Sequence, residues 1–102
     1  MKKYLVVSKG LPQSKAFENA AKEYTTKNNL SVEWFFYKEA EYLEGVKTEN
    51  IDVVVISPEV MISENKIKAE LDTINVNYLS VKPADFGLRR LEKILPLLDA
   101  IG

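Results

Sequence analysis

The chain has 102 residues, 46% of them hydrophobic and 28% charged, with 14 basic and 15 acidic side chains for a net charge of −1. That composition excludes a disordered polymer, and the length is about one domain able to remove roughly two thirds of its unfolded surface from water. Cysteine and histidine are both absent, which excludes disulfides, thiolate metal sites, thiol nucleophiles and imidazole bases; no metal or cofactor is expected. The charge balance points to no nucleic-acid partner. No run approaches the ~18–20 apolar residues of a membrane span. The expectation is a cytoplasmic single domain over residues 1–102, with no direct membrane insertion.

Tyr4 to Val7 is apolar throughout, as suits a strand covered on both faces. A polar turn, Ser8-Lys9-Gly10-Leu11-Pro12-Gln13, separates it from a helix expected over Ser14 to Asn28. In that helix Ala16, Phe17, Ala20, Ala21 and Tyr24 form one apolar stripe. Asn28-Asn29 is a suitable stop, because asparagine tolerates the left-handed backbone that ends helices. Leu30 to Trp34 alternates and suits a sheet edge; Phe35-Phe36-Tyr37 then breaks the alternation with three aromatics in a row. Residues 38–50 read as a loop with a helical turn or two.

Ile51 to Ile56 is β-branched almost throughout and predicts a central parallel strand, ended by Ser57-Pro58-Glu59. A short helix follows from Ser63 to Leu71 or Asp72, with Ile67 and Leu71 inward and Ser63 as a weak N-terminal signal. Val76 to Val81 is a fourth strand. After the Lys82-Pro83-Ala84-Asp85 turn, Asp85 is placed to cap a last helix in which Leu88, Leu91, Leu95 and Leu98 recur at helical spacing. Pro96 predicts a kink or break near Lys93. Arg89, Arg90 and Lys93 fall on the face opposite the leucines.

Strands alternating with helices give an α/β fold, with helices on both faces of the sheet if residues 38–50 cross over. Ligands of such sheets bind beyond the carboxyl ends of the strands. That edge gathers the turns Ser8–Gln13, Ser57–Glu59 and Lys82–Asp85. Ser8, Lys9, Gln13, Ser14, Ser57, Glu59, Lys82 and Asp85 are therefore the candidate polar groups. In the first turn Gly10 permits left-handed backbone and the helix N-terminus favours an anion, while Pro12 has no N–H to donate. Glu59 and Asp85 could pair for acid–base work, although helix capping by Asp85 is the stronger account. The aromatic run from Trp34 to Tyr37 could stack on a sugar or base, or simply pack.

Tyr4-Leu5-Val6-Val7-Ser8-Lys9-Gly10-Leu11-Pro12-Gln13-Ser14 resembles the Y-L-F-C-S-x-G-M-S-T-S loop of enzyme IIB of the sugar phosphotransferase system, in its lactose/cellobiose/chitobiose branch. Tyr4, Leu5, Ser8, Gly10 and Ser14 match without a gap. Ile51–Ile56 followed by Ser57-Pro58-Glu59-Val60 is similar to the family's D-V-V-L-L-G-P-Q-I, and the Val81–Asp85 turn to the one before its last helix. The resemblance implies a three-layer α/β domain with a four-stranded parallel sheet of order 2-1-3-4. It also implies enzyme IIA and the membrane enzyme IIC as partners. The family's phosphoacceptor cysteine falls on Val7, which has no nucleophilic atom; a shift of one would put Ser8 there, without a histidine to act as its base. What carries over is a possible anion-binding turn of Ser8, Lys9, Gly10 and Ser14, in a domain deficient in phosphotransfer or regulatory in role. The alternatives are a small-anion or nucleotide-binding module built on the same turn, and a subunit of a hetero-complex.

Overall fold

The computed structural model describes residues 1–102. Its elements, in order, are β1 (Lys2–Ser8), α1 (Pro12–Lys27), β2 (Val32–Lys38), α2 (Tyr42–Glu49), β3 (Val53–Ile56), a 3-10 turn (Pro58–Ser63), α3 (Glu64–Thr73), β4 (Asn77–Ser80), α4 (Pro83–Gly87) and α5 (Leu91–Ile101). All three strand pairings are parallel, and the strands lie in the order β2-β1-β3-β4. This is the expected three-layer α/β sheet.

Strand alternation sends β1 and β3 side chains into two separate cores. Tyr4, Val6, Val53 and Val55 pack with Phe17 of α1, Phe86 of α4 and Leu91, Ile94 and Leu98 of α5. Leu5, Val7, Val54 and Ile56 pack on the opposite face with Tyr42 and Val46 of α2 and Ile67 and Leu71 of α3. The continuous apolar runs of β1 and β3 follow from this, because neither face of either strand meets water. Residues 38–50 do contain the crossover: α2 is two turns long, and Gly45 lets it lie against Tyr37, whose ring would stand 2.9 Å from a Cβ there.

Asparagine ends three of the helices. Asn29, Asn50 and Asn75 take φ of 53°, 55° and 57°. After α1, the Asn29 N–H bonds Thr26 and the Leu30 N–H bonds Thr25; after α3, Asn75 bonds Asp72 and Val76 bonds Leu71. These are Schellman closures, which satisfy the last helical carbonyls and turn the chain into the next strand.

The last quarter of the chain departs from expectation. Pro83 starts α4 with Lys82 as its N-cap, so Asp85 lies inside that helix and caps nothing; its carboxylate accepts from Arg90 Nη1 at 3.3 Å. The helix breaks at Leu88–Arg90, before the predicted point. Arg89 sits at φ 51° in another Schellman closure, with the Arg89 N–H on Phe86 and the Arg90 N–H on Asp85. Leu88 is consequently outside the leucine stripe and exposed, and Arg89 and Arg90 belong to the connection. Pro96 lies within an uninterrupted α5. Pro96 and Glu92, whose carbonyl loses its donor, are both exposed, so water can satisfy the freed group. At the N-termini, α1 begins two residues before Ser14, with Pro12 in its first turn where a missing N–H costs no helical bond. Ser63 makes no side-chain cap to α3.

Arginine has a Cβ and glycine none, so Arg89→Gly relieves the left-handed strain at the α4–α5 junction. It is expected to raise stability by up to about 1 kcal/mol in urea unfolding, net of the freer unfolded chain.

A second expectation concerns pH. Tyr4 is fully buried and donates its O–H to Asp99 Oδ1 at 2.9 Å; Tyr42 is buried and donates to Glu70 Oε1 at 2.7 Å. Burial, reinforced by the carboxylate each hydroxyl serves, pushes both phenols well above their usual range. The folded state therefore holds these protons more tightly than the unfolded one. Their contribution is full below about pH 10, the unfolded value, and is lost as pH rises beyond it. Tyr4→Phe should flatten the alkaline limb of the stability–pH curve, measured by urea midpoints on either side of that value.

Candidate functional site

The parallel sheet brings the β1–α1 turn, the β3–α3 turn and the β4–α4 turn to one edge. Ser8 closes β1 and is buried, and its Oγ accepts from the Gly10 N–H at 3.3 Å. Gly10 itself has φ 72°, and a Cβ there would come within 3.2 Å of the Lys38 side chain. The positive φ favours glycine here, while the flexible Lys38 tip need give only slightly to admit a Cβ. Ser14, also buried, turns its hydroxyl back to donate to the Leu11 carbonyl at 2.9 Å. The first turn is thus held in shape by its own side chains.

The Lys9 N–H is taken by Glu59 Oε1, 3.0 Å away on the β3–α3 turn. An anion is therefore present at this edge, and the chain itself supplies it. Glu59 Oε2 is buried without a protein partner, as are Ser57 Oγ and Ser80 Oγ. Continuing the strand alternation, Ser57 falls on the α1 face of the sheet with Ser8, whereas Ser80, in register with Ile56, falls on the α3 face. Unpaired polar groups inside a protein are costly, and these three are concentrated at the carboxyl ends of β3 and β4.

Of the candidate polar groups, the fold brings together Ser8, Lys9, Gly10, Ser14 and Glu59 by direct hydrogen bonds or shared turns. Gln13 is exposed beside Gly87, with its Nε2 2.9 Å from where a Cβ on that glycine would lie. Lys82 is exposed at the start of α4. Asp85 does not pair with Glu59: the first carboxylate serves Arg90 and the second the Lys9 N–H, so no acid–base dyad forms. Val7 is fully buried among Leu5, Val54 and Ile56. Trp34 is a core residue, packed edge-on to Tyr4 at 5.5 Å with its indole N–H on Thr25 Oγ1 at 3.3 Å, and offers no free stacking face.

Beside the first turn is a hollow of 130 Å³ bordered by Ser8, Ser14, Lys15, Glu18 and Lys38. Lys38 enters this site because β2 runs parallel to β1 in the register Ser8↔Lys38. Neither Lys38 nor Ser80 is marked out by the sequence. Placing Lys38 requires the strand register, and Ser80 is an ordinary strand-end serine until its hydroxyl is found to lack a partner. Larger hollows lie elsewhere, including 330 Å³ beside Asp72 and Tyr78 and 460 Å³ between α2 and α3. The turns of this edge expose apolar side chains as well as Lys9, Gln13 and Lys82: Leu11, Met61 and Ile62 are 49%, 62% and 96% exposed.

The fold is similar to that of the lactose-specific IIB component domain of the phosphoenolpyruvate:carbohydrate phosphotransferase system from Streptococcus pneumoniae. The TM-score is 0.71 over 93% of this chain and 95% of that one, at 16% sequence identity. No protein-family model matches the sequence, and neither does any curated protein. Identity at this level carries the architecture alone. The α/β fold of order 2-1-3-4 is the IIB fold, and no helix is long and apolar enough to cross a membrane.

If Glu59 holds the first turn closed, Glu59→Ala should cost about 1 kcal/mol, as expected for a partly exposed hydrogen bond to a charged acceptor. Amide exchange at Lys9 should accelerate while exchange in β1 is unchanged, as measured by hydrogen-exchange NMR.

Proposed function

We propose that this chain is a cytoplasmic, single-domain, IIB-like component of a sugar phosphotransferase system of the lactose/cellobiose type. In this reading it docks on an enzyme IIA or the membrane enzyme IIC through its first-turn face and does not carry the phosphoryl group. The observation that carries this reading is Val7. It stands where the resemblance puts the acceptor cysteine, and it is fully buried in the α2–α3 core. A transferable phosphoryl group needs a nucleophile that a partner can reach, and this position supplies neither the atom nor the access.

The neighbouring hydroxyl does not replace it. Ser8 is 5% exposed, its oxygen already accepts the Gly10 N–H, and the chain has no histidine to take its proton. Glu59 favours docking over anion binding, because its carboxylate occupies the Lys9 N–H that a phosphate would need. Docking is supported by Leu11, Met61 and Ile62, exposed apolar side chains on two turns of one edge, since exposed apolar side chains are what a contact surface offers. A domain of this kind would compete with a phosphotransfer-competent IIB for the same partner, and so regulate it.

The test is to mix the protein with a phosphorylated enzyme IIA of the lactose/cellobiose type. The expected outcome is amide shifts at Leu11, Met61 and Ile62, with no phosphoryl mass increment on this chain. A transferable increment would overturn the phosphotransfer-deficient reading. Absence of binding to either IIA or IIC would overturn the docking role.

A further inference from the structure

β2 is one edge of the sheet, seven residues long, with no proline and no bulge in its register with β1. Natural edges are commonly blunted by shortness, proline or charge. The opposite edge, β4, is only four residues long. β2 instead carries Trp34, Phe35, Phe36 and Tyr37, the last three half-buried and so still partly open to solvent.

The backbone of β2 sorts into two sets. The Lys2 N–H bonds the Ser31 carbonyl at 3.0 Å, and Lys2 is in register with Val32. In a parallel ladder this turns the N–H and C=O of Glu33, Phe35 and Tyr37 toward β1, and those of Val32, Trp34, Phe36 and Lys38 outward. Two of the outward groups are already satisfied: the Val32 N–H bonds Leu30 O, and the Lys38 C=O accepts from the Glu41 N–H, each at 3.0 Å. What remains free is the Val32 C=O, both groups of Trp34, both groups of Phe36, and the Lys38 N–H.

We infer that this edge pairs with the β2 edge of a second copy of the same chain, antiparallel, about a two-fold axis through Phe35. In that register Trp34 faces Phe36 of the second copy and Val32 faces its Lys38. Every free donor then meets a free acceptor, in about six backbone hydrogen bonds. An axis normal to the sheet must pass through a residue position, so the next choices are Trp34 or Phe36. An axis at Phe36 sets Trp34 against Lys38, whose carbonyl is spent. One at Trp34 sets Phe36 against Val32, whose N–H is spent. Only the Phe35 register leaves nothing unpaired.

The side chains agree with the backbone. Phe35 meets its own mate on the α2 face, an aromatic cross-strand pair of the kind that stabilises sheets, and on the α1 face the half-buried Phe36 comes opposite Trp34, whose ring stays in its own core. Glu33 falls opposite Tyr37 and Lys38 opposite Val32, so no like charges stand face to face. Behind the seam on the α1 face, Glu18 and Lys22 form a neutral pair at 2.7 Å, with Lys22 Nζ 5.8 Å from the Phe36 ring centroid. Two four-stranded sheets would become one of eight strands, leaving the first-turn edge of each copy open.

Sedimentation equilibrium from micromolar to millimolar protein should give twice the 11.6 kDa chain mass at the upper end. The Trp34 and Phe36 amides, which have no partner within the chain, should become protected from hydrogen exchange in parallel with that rise. Phe35→Lys places two like charges on the axis and should restore the monomer, with far-UV circular dichroism reporting that the fold is kept. Should that variant unfold, amide protection in the unaltered protein still decides. A monomer at every concentration overturns the inference. So does a dimer in which the Trp34 and Phe36 amides exchange as fast as in an open loop.

Discussion

The structure depends on the burial of β1. Tyr4, Leu5, Val6 and Val7 are all fully excluded from solvent, and the strand is hydrogen-bonded on both sides, to β2 and to β3. A strand in that position cannot be covered by one layer of helices, because its alternate side chains need separate cores. Helices are therefore required on both faces, and α1 with α5 and α2 with α3 meet that requirement. Parallel pairing then does the rest: it sends every strand–helix turn to the same edge. The site is a consequence of how β1 is buried.

That constraint also explains why the first turn can keep its shape without the chemistry the resemblance suggests. Its form is set by Gly10 at positive φ and by hydrogen bonds from the Gly10 N–H to Ser8 and from Ser14 to Leu11. None of these involves the side chain at position 7, which points into the α2–α3 core. Geometry and reactivity are held by different atoms.

The parts legible in the sequence were those governed by one local rule. The apolar runs of β1 and β3, the alternation that marks β2 as an edge, and Asn29 as a helix stop each follow from hydrophobic pattern or backbone preference at the residues concerned. The misplaced parts needed information from a distance. Asp85 has the chemistry of a cap, yet Pro83 starts the helix earlier and Arg90 claims the carboxylate. Leu88 fits the leucine repeat, but the stacking of Phe86 on Phe17, at 4.6 Å between ring centroids, ties α4 to α1 as a separate piece. The chain must then turn at Arg89, a residue with no intrinsic preference for left-handed backbone. Glu59 was legible as a member of the edge. Its contact with Lys9, fifty positions away in the chain, was not.

Glu59 connects the fold to the proposed role. A turn that presents backbone N–H groups at a helix N-terminus must have them satisfied by water, by a ligand or by the protein itself. Where a ligand is to bind and leave, the donors must stay available and a carboxylate close by would repel it. Here the carboxylate is bonded to the turn, so the Lys9 N–H is spent and any second anion meets a like charge. The outward groups at this edge include the apolar side chains of Leu11, Met61 and Ile62, beside the exposed Lys9, Gln13 and Lys82. An edge whose Lys9 N–H is already taken and which carries exposed apolar side chains is better suited to holding a protein surface than to exchanging a phosphate. The closed turn and the buried Val7 bear on the proposed role by independent routes.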